Sequence, residues 1–224
     1  AEGADILDLG AESTRPYGGM QPVSFEVELR RLQDVLPRVV ELGVPVSVDT
    51  IKAKIAAWAL EQGAVIVNDV WGLQRDPHMA KVVAEHGATV IIMHNRERAD
   101  PAIDIVADVK AFFARSLEIA ACAGIASERI VLDPGVGFGK TPEQSIAVIA
   151  RLAEFASFGY PLLMGLSRKR FIDSISPAPP DQRLGGSIAG NLLAVLAGAD
   201  IVRVHDVAET VQALRVAAAI RSAQ

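Results

Sequence analysis

The chain has 224 residues, 50% of them hydrophobic, with 22 Lys and Arg against 27 Asp and Glu for a formal charge of −5. That length can bury one large core, and α/β barrels of this size fold as a single domain, here spanning 1–224. Mild acidity without any basic block argues against a nucleic-acid partner, no apolar run reaches the roughly 18 residues of a membrane span, and one cysteine leaves no internal disulfide, which suits the cytoplasm.

The opening AEGADILDLG carries no Met and reads as the tail of a helix entering a strand at 5–10, so a segment holding an earlier strand is expected upstream. Further strands are predicted at 45–50, 64–70, 89–94, 129–135, 161–167 and 200–206. Ala/Leu/Glu-rich helical stretches lie between them, among them 25–43, 51–63 and 185–198, and Asp206 starts a last helix. Trp58 and Trp71 are expected to pack, His78 and His86 to be structural or surface residues on helices, and Cys122 to be buried in the Ala-rich EIAACAGI. Near-continuous apolar strands alternating with helices that end at Gly (LGVP, QGAV, HGAT, AGAD) mean a parallel sheet covered on both faces. The pattern predicts a (β/α)8 TIM barrel with the first strand missing from this sequence; a doubly wound open sheet is the alternative.

Almost every predicted strand ends in a chemically capable side chain: Glu12, Asp49, Asn68 with Asp69, His94, Asp133, Ser167, and Arg203 with His205. Strand ends converge on one face of a barrel, so these residues predict an active site there. Ser47 and Asp49 share one face of their strand and Val46 and Val48 the other; Arg203 and His205 likewise oppose Val202 and Val204. Valines suit the helical layer, so the polar sets are expected to face the barrel mouth. Carboxylates and an Asn grouped there would accept hydrogen bonds from a heterocycle rich in N–H groups. Arg203 and His205 end the last strand, where barrels commonly bind phosphate. In GLSRKRF, Lys169 is expected to enter the site, with Arg168 and Arg170 in solvent.

IVLDPGVGFGKTPEQ (130–144) imitates a phosphate-binding loop, but the position five before Gly139 is Pro134, which has no N–H to offer. Thr141, Pro142 and Gln144 read instead as an N-cap, a first-turn Pro and a capping-box partner.

The ordered set LDLGAESTRP, VSVDT, VNDV, LDPGVGFGK, GLSRKRF and RVHDV resembles the dihydropteroate synthase family over nearly the whole chain. The resemblance implies a pterin-binding TIM barrel, homodimeric, that joins 4-aminobenzoate to the diphosphate ester of 6-hydroxymethyl-7,8-dihydropterin with magnesium, releasing diphosphate; sulfonamides compete for the aminobenzoate site. It further implies that Asp49, Asn68 and Asp133 hold the pterin edge. Lys169 would donate to the pterin carbonyl, Arg203 cover the pterin face and reach the phosphates, and His205 bind the diphosphate. Thr14, Arg15 and Pro16 would belong to a closing loop, Arg15 with a catalytic part, and Phe138 would line the aminobenzoate pocket. The family's metal-binding Asn lies on its first strand, so no metal ligand is expected in this sequence. NRERADP after His94 departs from the family, and His94 is assigned no role. A pterin-dependent methyltransferase barrel and a non-catalytic pterin-binding paralogue are the other readings.

Overall fold

The computed structural model describes residues 2–12 and 23–223. Thr14, Arg15 and Pro16 lie outside the described residues. The fold is α/β, of the TIM-barrel type. Among the described residues, seven parallel strands follow one another: β1 (Leu7–Gly10), β2 (Val46–Asp49), β3 (Ile66–Asp69), β4 (Thr89–Met93), β5 (Ile130–Asp133), β6 (Leu163–Met164) and β7 (Ile201–Val202). The first five form one ladder and β6 pairs with β7. A parallel bridge between Leu132 and Leu162, with Leu132 N donating to Pro161 O at 2.9 Å, carries the arrangement from β5 to β6. The helices are α1 (Phe25–Leu32), α2 (Leu36–Val40), α3 (Ala53–Glu61), α4 (Met79–Glu85), α5 (Ile105–Ala123), α6 (Pro142–Ala150), α7 (Arg170–Ile175), α8 (Leu184–Leu196) and α9 (Val207–Ser222). None is long and apolar enough to cross a membrane.

Side-chain alternation sorts the strands into two cores. Val46, Val48, Val67, Val90, Ile92, Leu132 and Met164 pack outward against helix residues such as Ile55, Val83, Phe113 and Phe155. Ile66, Ile91, Val131 and Leu163, with Ile6 and Ile201 against them, form a separate small cluster inside the ring of strands. Two residues further along the same faces come Asp8, Asn68, Met93, Asp133, Gly165 and Arg203. The strand interior is thus apolar at one end and polar at the other, which is where the site sits. The inner plug has few members, so losing one leaves a cavity little can refill; Ile91→Ala would cost about 2–5 kcal/mol.

Three expectations are corrected. The single helical stretch 25–43 breaks into α1 and α2, because Pro37 in the first turn of α2 supplies no N–H to a continuous helix. Cys122 is exposed: the buried series of α5 runs Val106, Val109, Phe113, Ser116, Ala120, and position 122 falls off that stripe. Arg168 is not left to solvent; it takes a positive φ of 60° and pairs with Asp206. The other helix boundaries follow the sequence, with Thr141 and Gln144 forming the expected capping box on α6. Trp58 packs against the core, Trp71 lies under the Arg75 guanidinium at 4.6 Å, and exposed His78 and His86 flank α4.

Candidate active site

A narrow cleft opens at the C-terminal ends of the strands. Asp49 and Asn68 close β2 and β3, Asp133 ends β5, Phe138 comes from the loop after β5, Lys169 from the turn after β6, and Arg203 follows β7. Six of the predicted residues therefore meet in one place. His205 sits one strand repeat beyond Arg203, its Nδ1 3.0 Å from Ser167 Oγ, and it does not line the cleft. A second hollow lies outside the ring of strands, between α1, α3 and α4, with Lys52 in its lining.

On one side the cleft offers acceptors. Asp49 Oδ1 and Asn68 Oδ1, which line it, are buried without hydrogen-bond partners among the described residues, as are Asp8 Oδ1 and Ser47 Oγ, which do not line it. Each such atom costs on the order of 1–3 kcal/mol unless a ligand pairs with it. Burial raises the Asp49 carboxyl to about 7, helped by the Asp8 charge and opposed by Arg203. Asp133 is also raised, again chiefly by burial, with the Gly135 N–H and the charges of Lys169, Lys140 and Arg203 pulling the other way. Gly135 N donates to Asp133 Oδ1 at 2.7 Å.

On the other side stand cations. Arg203 Nε donates to Asp8 Oδ2 at 2.6 Å, and its Nη2 lies 3.5 Å from Asp49 Oδ2. Among the described residues no strand pairing joins β7 to β1, so this guanidinium spans that opening. Lys169 Nζ donates to Val136 O at 2.8 Å and sits 4.3 Å from the centre of the Phe138 ring. Two residues expected to serve different parts of the site, Lys169 and Phe138, are thereby held against each other.

The loop after β5 has its own scaffold. Lys140 folds back beneath it, donating to Gly135 O at 2.8 Å and Phe138 O at 3.2 Å and lying 2.6 Å from His94 Nδ1. His94 Nε2 is 3.0 Å from Asp108 Oδ2, and Arg96 Nη1 holds Asp108 Oδ1 at 2.8 Å. Burial and the neighbouring Lys140 push the His94 imidazole down to about 3, so it stays neutral with its proton toward Asp108. Gly135, at φ +67°, has no room for a side chain: a Cβ would meet His94 O at 1.9 Å. This is the work of the glycine-rich stretch. It builds a tight backbone turn over a buried lysine, and no phosphate cradle.

Three other strand-end residues are already engaged. Glu12 bonds Lys52 and accepts from Val23 N, and Lys52 also holds the fully buried Glu28 at 2.6 Å. Asp69 accepts from Trp71 N at 2.9 Å and Leu73 N at 2.7 Å, and so shapes its loop from a buried strand end. Asp206 starts α9 without capping it, because its carboxylate is on Arg168. Sequence reasoning missed Asp8 and Lys140. The alternation Ile6–Asp8 against Leu7–Leu9 matches the one that singled out Asp49, so Asp8 was legible; nothing in the spacing points Lys140 inward.

The chain matches the family described as "Pterin binding enzyme" over residues 1–205. The dihydropteroate synthase of Bacillus subtilis (strain 168) is 45% identical, with 92% of this chain and 72% of that protein covered. The crystal structure of dihydropteroate synthase from Clostridium difficile in the presence of pteroic acid superposes with a TM-score of 0.94 at 48% identity, covering 98% of this chain and 83% of that one. The Xanthomonas albilineans dihydropteroate synthase with 4-aminobenzoic acid gives a TM-score of 0.94 at 42% identity, covering 98% and 80%. The chain belongs to the pterin-binding enzyme family, and within that family to the dihydropteroate synthases.

Proposed function

We propose that the cleft joins 4-aminobenzoate to 6-hydroxymethyl-7,8-dihydropterin diphosphate, giving 7,8-dihydropteroate and diphosphate, a transferase step of folate biosynthesis. One observation carries the residue roles: acceptors at the ends of β2, β3 and β5 face Lys169 and Arg203 across a single cleft. The N–H edge of the pterin pairs with Asp133, Asn68 and Asp49, satisfying the Asn68 and Asp49 oxygens that otherwise lack partners among the described residues. Lys169 donates to the pterin carbonyl, and Arg203 lies over the ring and reaches the phosphates. The amine nitrogen of 4-aminobenzoate, against Phe138, attacks the pterin methylene carbon. The carbon–oxygen bond to diphosphate breaks, its electron pair leaves on the phosphate oxygen, and the amine loses a proton. Charge gathers on the departing oxygens, so preorganised cations there give the largest catalytic help. His205, beside Ser167 at the rim, is assigned to the diphosphate, and Thr14, Arg15 and Pro16 to a loop that closes over it.

Magnesium is proposed as a companion of the substrate's diphosphate, since this cation keeps several waters and leans on substrate phosphates. Among the described residues no group of three or more His, Cys, Asp or Glu could hold a metal ion, and no step is derived through one. A homodimer is proposed on the apolar side chains Leu193 and Leu196 of α8 and Val216 and Ile220 of α9, each more than half exposed. A cytoplasmic location is proposed on the single cysteine and the biosynthetic reaction. Diphosphate release with both substrates and magnesium tests the reading. Turnover dependent on aminobenzoate supports it, whereas pterin binding without release would make the protein a non-catalytic relative.

A further inference from the structure

Asp8 lies on β1, paired in register with Ser47 of β2, with its side chain on the same inward face as Ile6. Its carboxylate is 16% exposed and touches two residues of the site from behind. Oδ2 accepts from Arg203 Nε at 2.6 Å and faces Asn68 Nδ2 at 3.4 Å, while Oδ1 is buried without a partner among the described residues. Arg203 is the residue reaching across the opening between β7 and β1, on a side chain 42% exposed. Such a long side chain has many rotamers in water, and one bond at Nε fixes the plane of the whole guanidinium. That plane is what stacking on a heterocycle and gripping a phosphate both require.

We propose that Asp8 is a positioning residue for the transfer reaction, holding the Arg203 guanidinium and the Asn68 amide in the orientations that the pterin diphosphate meets. The inference rests on the synthase reading above. Asp8 acts through Arg203 and Asn68 and does not need to touch substrate. It also has a second, electrostatic consequence. The charged groups facing Asp49 are Asp8, Arg203, Asp69 and Glu28, and after burial Asp8 is the strongest influence raising the Asp49 carboxyl. Removing the Asp8 charge stabilises the Asp49 anion, so the pH at which Asp49 becomes a full acceptor moves down.

The test uses Asp8→Asn and Asp8→Glu in the whole protein, with kcat/KM for pterin diphosphate and pterin affinity followed against pH. In Asp8→Asn, kcat/KM falls on the order of tenfold to a hundredfold, as for other small misplacements of a catalytic group. Its pterin-binding midpoint also drops below the wild-type value. In Asp8→Glu the charge is kept but the carboxylate is moved, so the midpoint stays near wild type while kcat/KM is still reduced. A folded Asp8→Asn with wild-type kcat/KM and an unmoved midpoint overturns the proposal, even if its melting temperature drops. If neither variant folds, the Arg203 Nε–H resonance of the wild-type protein decides: slow hydrogen exchange supports the bond and rapid exchange overturns it. Failure of the wild-type protein itself to release diphosphate would count against the synthase reading and not against Asp8.

Discussion

Two buried polar clusters stand at the strand ends, and they differ in how fully they are paired. Around Lys140 the groups in contact answer one another: its Nζ meets His94 Nδ1, Gly135 O and Phe138 O, and His94 and Arg96 take the two oxygens of Asp108. Around Asp49 acceptors outnumber donors, and four buried oxygens lack partners among the described residues. A satisfied network rigidifies, while an unsatisfied one is costly until something pairs with it. The first cluster therefore holds the loop that carries Phe138, and the second is built for a ligand with N–H groups.

The largest expected effect comes from the acceptor side. Asp133→Asn keeps the shape but presents an amide donor to ligand N–H groups, with charge-assisted bonds worth about 1.5–3 kcal/mol each removed. Pterin binding should be lost, and stability held or slightly raised, because the variant no longer buries a carboxylate whose ionisation burial resists. Calorimetry with a pterin and a melting curve check both halves. Near-wild-type affinity in a folded variant would mean that the acceptors are not what the ligand reads.

Lys140→Met tests the paired cluster and should give the opposite profile. Two backbone carbonyls and His94 Nδ1 lose their donor, at about 1–3 kcal/mol for each group left unpaired. Stability should fall by several degrees. The KM for aminobenzoate should rise as the Phe138 wall loosens, while pterin affinity changes little. A variant as stable as wild type would break the distinction between the clusters.

Protonation gives a smaller and graded effect. Burial raises Asp49 to about 7 and Asp69 to about 6, both from an ordinary value of 3.8. The folded protein thus keeps protons that the unfolded chain gives up. Their contribution is fully present below the unfolded value and is lost as pH rises through the folded one. Melting temperature should fall between about pH 5 and about pH 8, and Asp49→Asn should flatten part of that slope. Pterin affinity should move the other way, rising as Asp49 ionises. Parallel pH profiles for stability and affinity would contradict the assignment of Asp49.

The sequence carried the acceptor cluster better than the paired one. Asp49, Asn68 and Asp133 are readable because period-two alternation places a polar residue opposite each outward valine or leucine, and a barrel brings strand ends together. The same rule reaches Asp8, which was passed over because it stands two residues before its strand's end. The meeting of Lys140 with His94 is not readable that way. It depends on a loop with positive φ at Gly135, Gly137 and Gly139 that folds the lysine under its own backbone. Arg168 escaped for a related reason: one residue in the left-handed region turned a side chain expected in solvent onto Asp206. The strand at 161–167 was read too long because only Leu163–Met164 joins a ladder, while Leu162 N is taken by Asp200 Oδ2 at 2.8 Å.

The smallest effect is expected at the rim, where His205 belongs to neither cluster. Its Nδ1 and its backbone N both approach Ser167 Oγ, at 3.0 Å and 3.3 Å, which ties the end of the last strand to the turn carrying Lys169. A diphosphate arriving there favours imidazolium, because an anion close to the ring stabilises its charged form. Glutamine keeps a donor of similar reach but no titratable charge. His205→Gln should therefore weaken diphosphate binding by roughly tenfold, for one charge-assisted bond, at low pH, and less as pH rises and the wild-type ring loses its charge. Arg203→Lys should differ in kind, weakening both pterin and diphosphate at every pH, since a lysine keeps the charge but loses the planar fork. Diphosphate affinity of the two variants followed against pH separates the cases. If His205→Gln lowers only the melting temperature, with affinity per folded molecule unchanged at every pH, His205 is a strut between β7 and the Ser167 turn and takes no part in the anion site.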